Sequence, residues 1–306
     1  MTTLLDRPTS SPAPHSAQHS RRWWILAVLG VAQLMVVLDA TVVNIALPTA
    51  QLDLGFSDAA RQWIVTAYAL AFGSLLLIGG RIADVIGRKW VFLIGAGGFA
   101  VASAVGGASV NVGMLIGARA VQGLFAALLA PAILALLTTT FTQPAERGKA
   151  FGIFGAIAGA GTSIGLLLGG FLTEYATWRW TLYVNLVFAV LALAGGWVLL
   201  EHSSSAQRAK LDVPGTVVVS AGLFALVYGF SHAETDGWAD AVTIGLLVTS
   251  AVLLTLFVML QRRIAHPLLP MRIFANQTRA TSFVAMMIAP AAMFAMFYFL
   301  SLFIQQ

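Results

Sequence analysis

Nine stretches of this chain are apolar for long enough to cross a lipid bilayer, and short polar segments separate most of them. The first runs from Trp23 to Leu47. The others cover about 62–79, 90–109, 113–141, 150–172, 180–200, 214–231, 241–260 and 281–304. A helix rising ~1.5 Å per residue spans the hydrocarbon layer in about 20 residues. The pattern therefore predicts an all-α integral membrane protein with about nine transmembrane helices. Residues 1–21, rich in Ser, Pro, Thr and His, read as a disordered tail. The first run is too long for a signal-peptide core and reads as an uncleaved helix.

Composition agrees with the pattern. Hydrophobic residues make up 59% of the 306 and charged residues 9%, against about 25% charge in soluble domains. Cysteine is absent, which removes disulfides, thiol catalysis and thiolate-bound metal. The five histidines, at 15, 19, 202, 232 and 266, show no ligand spacing, so no metal site is expected. Within the spans there is no nucleophile–base pair, which argues against an enzyme.

The net charge of +5 is explained by placement. With the N-terminus in the cytoplasm, fourteen of the seventeen Lys and Arg fall on cytoplasmic segments, Arg61 and Arg179 fall outside, and Arg119 lies within a span. That bias sets orientation and points to lipid contact at the inner leaflet rather than to nucleic acid.

One acidic residue breaks the first span. Asp39 lies in Leu38–Pro48, LDATVVNIALP, and a carboxylate at that depth costs roughly 2.5–3.5 kcal/mol or more. A proton- or cation-handling site would use that cost. Arg119, Gln122 and Gly123 in the fourth span sit at i, i+3 and i+4, on one helical face. Counted inward from the span ends, Asp39 and Arg119 reach similar depths, so the two are expected to pair directly or through water. An adjacent cation favours the charged form of a carboxylate, which would tie proton exchange to conformation.

Four other patterns stand out. The loop after the second span places Gly80, Asp84, Gly87, Arg88 and Lys89 at fixed spacing. Gly87 suits a turn of positive φ, Asp84 suits a switchable ion pair, and Arg88 and Lys89 suit anchoring at the inner leaflet. The fifth span carries Gly152, Gly161, Gly165, Gly169 and Gly170, of which three recur every four residues and form a groove for another helix. Gln33, Asn44, Trp63, Tyr68 and Phe72 are candidates for a pocket that holds aromatic or cationic molecules. Trp178-Arg179-Trp180 reads as an interfacial aromatic belt.

These motifs together resemble the major facilitator superfamily over about residues 22–306. The Gly80–Lys89 loop is similar to its signature between helices two and three. Leu38, Asp39, Thr41, Asn44 and Pro48 match the first-helix motif of the fourteen-helix drug:proton antiporter branch. Arg119, Gln122 and Gly123 match its R-x-x-Q-G motif, and the glycine ladder matches its antiporter signature. Two positions depart from the family: Val85, where a basic residue is common, and Leu166, where proline is usual.

The resemblance implies an N-terminal six-helix bundle at 22–200 and a linker with two extra helices at 201–265. The start of a second, incomplete bundle follows at 266–306, roughly five helices short. It implies a monomeric plasma-membrane exporter of drugs or other amphipathic or cationic compounds. Such a protein works by proton antiport, with no cofactor beyond the proton gradient, and this chain alone is not expected to be competent. The alternatives are a dedicated exporter of one metabolite, such as an antibiotic or siderophore, and a non-transporting membrane fragment.

Overall fold

In the computed structural model the described residues are 15–201 and 212–264, with 277, 278, 280–285, 288 and 292. Eight helices cover the first two ranges: α1 His15–Leu54, α2 Asp58–Ile86, α3 Arg88–Gly107, α4 Val112–Thr140, α5 Pro144–Tyr175, α6 Trp180–Leu199, α7 Val213–Asp236 and α8 Ala241–Gln261. All eight are long and apolar enough to cross a membrane. The expected ninth span is described only at 281–285, 288 and 292, which are helical.

Helices α1, α2, α5 and α7 outrun their apolar windows, while α3, α4, α6 and α8 match theirs to within two residues; polar residues or proline start most of them. Ser57 accepts from the Ala60 N–H, Asn111 from Met114, and Asp212 from Gly215, while Pro144 starts α5 where no N–H is needed. The largest correction is α1, at 40 residues against a 25-residue apolar run. It begins inside the stretch expected to be a tail and continues through Pro48. At ~1.5 Å per residue it is roughly 60 Å long, more than any bilayer core needs.

Helix α4 packs between α2 and α3, α6 packs on α1 and α3, and α5 lies along α1. Phe92, Phe99, Leu129, Ile133, Met35 and Leu29 fill the interior of this group. Close approach depends on glycine, as expected where helices associate by packing rather than by hydrophobic exclusion. A Cβ on Gly123 of α4 would lie 2.4 Å from the Tyr68 carbonyl, and one on Gly79 of α2 would lie 2.0 Å from that of Ala127. The two backbones therefore touch at both ends of their crossing.

Helices α7 and α8 form a hairpin docked on α2. Thr66 and Ser231 hydroxyls meet at 3.1 Å, Gln62 donates to Glu234 at 2.8 Å, and Trp63 packs on Tyr228.

Charged side chains fasten the bundle at both ends. At one end the Asp53 carboxylate accepts from Trp178 Nε1 (2.9 Å) and Arg179 (3.0 Å), and Arg179 also donates to the Ser109 carbonyl. Trp178 is 4% exposed and Trp180 53%, so Trp178 is a buried residue and not part of the expected aromatic belt. At the other end Lys89 is buried, its Nζ donating to the carbonyls of Trp197 (2.9 Å) and Leu200 (2.6 Å). The expected lipid anchor is instead a cap on the C-terminus of α6, where the carbonyls of a helix end lack partners.

Candidate functional site

The polar centre of the bundle forms where α1, α2, α3, α4 and α6 come together. Asp39, fully buried on α1, receives three donors. Arg119 NH1 lies 2.5 Å from its Oδ2, and Gln122 Nε2 and Asn185 Nδ2 reach its Oδ1 at 3.0 and 2.8 Å. The pairing expected between Asp39 and Arg119 is present and direct.

Gln122 locks the arrangement. Its carbonyl oxygen accepts from Arg119 NH1 at 2.8 Å, and its amide nitrogen bridges Asp39 and the Ser103 hydroxyl, 2.8 Å away. Ser103 in turn donates to the Phe99 carbonyl. Below the guanidinium, Tyr68 presents its ring face 4.3 Å from Arg119 Cζ, and Phe72 stacks on Tyr68. Gly123 makes this possible, because the missing side chain lets α2 bring Tyr68 under the arginine one turn away. Arg119 is 3% exposed, and a buried charge of this kind persists only when paired and hydrogen-bonded. Two atoms beside the carboxylate, Arg119 Nε and Asn185 Oδ1, are buried without a partner among the described residues.

The glycine ladder is split by the structure. Gly161, Gly165 and Gly169 face α1, and a Cβ on Gly165 would lie 1.8 Å from the Thr41 hydroxyl and 3.4 Å from Leu38, the neighbour of Asp39. Gly152 and Gly170 meet nothing within 4 Å and so do not share the packing role among the described residues. Within the first-helix motif, Thr41 donates to the Val37 and Leu38 carbonyls and Asn44 to the Ala40 carbonyl, so both turn their side chains onto α1 itself.

The five candidate pocket residues do not converge on one cavity. Tyr68 and Phe72 support Arg119. Trp63 lines a cavity of about 210 Å³ with Tyr228 and His232, and Asn44 one of about 430 Å³ with Arg61, Gln62 and Glu234. Gln33 is half-buried and borders neither.

In the inner loop, Gly87 has φ of 104°, the conformation expected of it. Asp84 is 4.0 Å from Arg81 and lines a cavity with Gly80, Pro131 and Phe257, the last from α8. Arg88 holds no ion pair among the described residues and faces a separate cavity.

Asn185 and Ser103 were absent from the expected site. Asn185 gave a usable signal, since an amide inside the apolar run of α6 carries the same kind of burial cost that marked Asp39. Ser103 gave none, because a serine on a membrane helix ordinarily bonds its own backbone.

A multi-helix bundle around a buried carboxylate–guanidinium pair defines a polytopic membrane protein of the transport kind. The chain belongs to the Major Facilitator Superfamily, whose model matches residues 29–306. It is 51% identical over 285 residues to the puromycin resistance protein pur8 of Streptomyces alboniger, covering 93% of this chain and 56% of that protein. It is 39% identical to the cephamycin export protein CmcT of Amycolatopsis lactamdurans, covering 92% of this chain and 58% of the relative. The chain thus spans a little over half the length of both. The fold is similar to that of the human organic anion transporter MFSD10, with a TM-score of 0.54, 16% identity, and coverage of 73% and 59% of the two chains. Membership of this family places the chain among transport proteins rather than enzymes.

Proposed function

We propose that this chain carries the proton-coupling half of an exporter of antibiotics or related amphipathic compounds, active as a polypeptide of its relatives' full length. The observation that carries the reading is Asp39, fully buried and held by Arg119, Gln122 and Asn185. Three donors, one of them the Arg119 guanidinium, hold the carboxylate between α1, α4 and α6 and out of contact with solvent. Moving α1 relative to α4 and α6 strips those donors, and an unpartnered carboxylate in a dry interior takes up a proton. Proton uptake and helix movement are then one event, as antiport requires.

Helices α1–α6 form the coupling bundle and α7–α8 the linker pair, in the plasma membrane of the cell, with the N-terminus cytoplasmic. The positive-inside bias supports that orientation. The protein acts as a monomer and draws on the proton gradient with no cofactor. Export of a single antibiotic fits the relatives named for puromycin and cephamycin as well as broad drug export fits the relative named for multidrug resistance.

The test is efflux from energised cells expressing the full-length protein. Asp39→Asn is expected to lower uncoupler-sensitive efflux by at least tenfold at equal membrane abundance. Efflux that persists at the native rate would remove Asp39 from coupling. A substrate panel separates the two specificities: one accepted antibiotic supports the dedicated exporter, and many unrelated dyes support the broad one.

A further inference from the structure

The starts of α1 and α3 and the ends of α4 and α6 enclose a cavity of about 410 Å³. Arg21, Arg22 and Arg88 line it, with Thr139, Thr142 and Glu201. The charges do not balance. Arg21 pairs with Glu201 at 2.6 Å and Arg22 reaches Glu146 at 3.5 Å, which leaves Arg88 with no carboxylate among the described residues. Its Nε is buried and has no hydrogen-bond partner. The neighbouring Lys89 adds a further positive charge and no acceptor, and its ammonium is turned to two α6 carbonyls.

Two further features bear on what fills the space. Helix α3 starts at Arg88 from Gly87, which supplies no side-chain cap, so the positive end of its dipole is open there. Trp90 and Trp197, on the same two helices, form an edge-to-face pair at 5.9 Å and are 39% and 62% exposed. Exposed tryptophans on membrane helices sit at headgroup level.

We propose that this cavity binds the phosphate group of an anionic phospholipid of the surrounding leaflet. Arg88 supplies the guanidinium that no carboxylate neutralises among the described residues, and Arg21 and Arg22 flank it. Guanidinium groups bind phosphate oxygens with charge-assisted, directional hydrogen bonds, and basic pockets between membrane helices are suited to such headgroups. The tryptophan pair favours a lipid over free phosphate, because it places the cavity where headgroups are concentrated.

The experiment is native mass spectrometry of the purified chain after exposure to mixed phosphatidylglycerol and phosphatidylcholine. Phosphatidylglycerol is expected to be retained in preference. Arg88→Gln should lower that retention about tenfold, the equivalent of ~1.4 kcal/mol. Lys149→Gln, the same charge change at an exposed position outside the cavity, should leave retention unchanged. If Arg88→Gln fails to fold as a monodisperse species, Arg22→Gln takes its place with the same expected loss. Equal retention of the two lipids, or full retention in the cavity variant, overturns the site. Displacement of the lipid by millimolar inorganic phosphate overturns the lipid assignment in favour of the free ion.

Discussion

Arg119 and Asp39 stand 80 residues apart in the chain and 2.5 Å apart in the bundle, with no exposed surface on the aspartate. Removing one partner from such a pair leaves an uncompensated charge, at a cost of about 3–5 kcal/mol. Arg119→Leu should therefore destabilise the protein by that order in reversible detergent unfolding. The double variant Asp39→Asn, Arg119→Leu should recover a large part of the loss, because neither charge then remains. Strictly additive effects in this cycle would show that the two groups do not interact energetically.

The bundle was legible in the sequence because membrane helices carry a strong, local signal, namely apolar length. Asp39 and Arg119 were legible for the converse reason, as charges at depth are too costly to be incidental. What escaped was anything decided by contact between helices. Lys89 and Trp178 look like interfacial residues one position at a time, and only the neighbouring ends of α6 and α1 make them buried links. The pocket candidates lie apart for a related reason. A list of aromatic and amide residues carries no azimuth, and Trp63 and Asn44 face cavities other than the space around Arg119.

The ladder glycines offer a discriminating pair. At Gly165 a methyl group meets the Thr41 hydroxyl at 1.8 Å, whereas at Gly152 it meets nothing. Gly165→Ala should destabilise the α1–α5 contact, and Gly165→Leu should abolish folding or transport. Gly152→Ala, in the same helix, should be neutral or gain about 0.4–1 kcal/mol through the unfolded chain. Thermal unfolding of the three variants checks the order, and equal effects at the two positions would contradict the packing role.

Lys89 gives a test of capping against lipid anchoring. Lys89→Met keeps the length of the side chain and removes two bonds to α6 carbonyls. The expected cost is roughly 1.5–3 kcal/mol, the range for hydrogen bonds to charged groups. Hydrogen exchange should rise in the last turn of α6, around Trp197 to Leu200. A lipid anchor would instead leave α6 protected and change only membrane association.

The start of α8 carries a pH dependence whose sign is fixed. The N–H of Thr243, joined by that of Val242, holds the Asp240 carboxyl below the usual carboxylate range, with His232 adding a weaker pull in the same direction. A depressed folded value means that this cap contributes fully above the ordinary aspartate value and is lost as pH falls through the lower, folded one. Amide exchange at Val242 and Thr243, corrected for intrinsic rates, should therefore increase on acidification of the wild type. Asp240→Asn should show no such step.

The tryptophans at 178 and 180 separate two kinds of aromatic residue that the sequence presents as equivalent. Trp178 is buried among α1, α2, α4 and α6 side chains, including Leu47, Ile64 and Leu182, and its indole N–H is spent on Asp53. Truncating it opens a cavity and removes one of the two donors to the Asp53 carboxylate, so Trp178→Ala should cost about 3–5 kcal/mol. Trp180, 53% exposed and packed edge-on against Tyr183, has no buried role to lose, and Trp180→Ala should stay within about 1 kcal/mol. Arg179→Ala should fall near the second value, because its bond to the half-exposed Asp53 is solvent-screened. Unfolding midpoints for the three variants in one detergent decide the matter. A Trp180 variant as damaging as the Trp178 variant would return both residues to a common interfacial role.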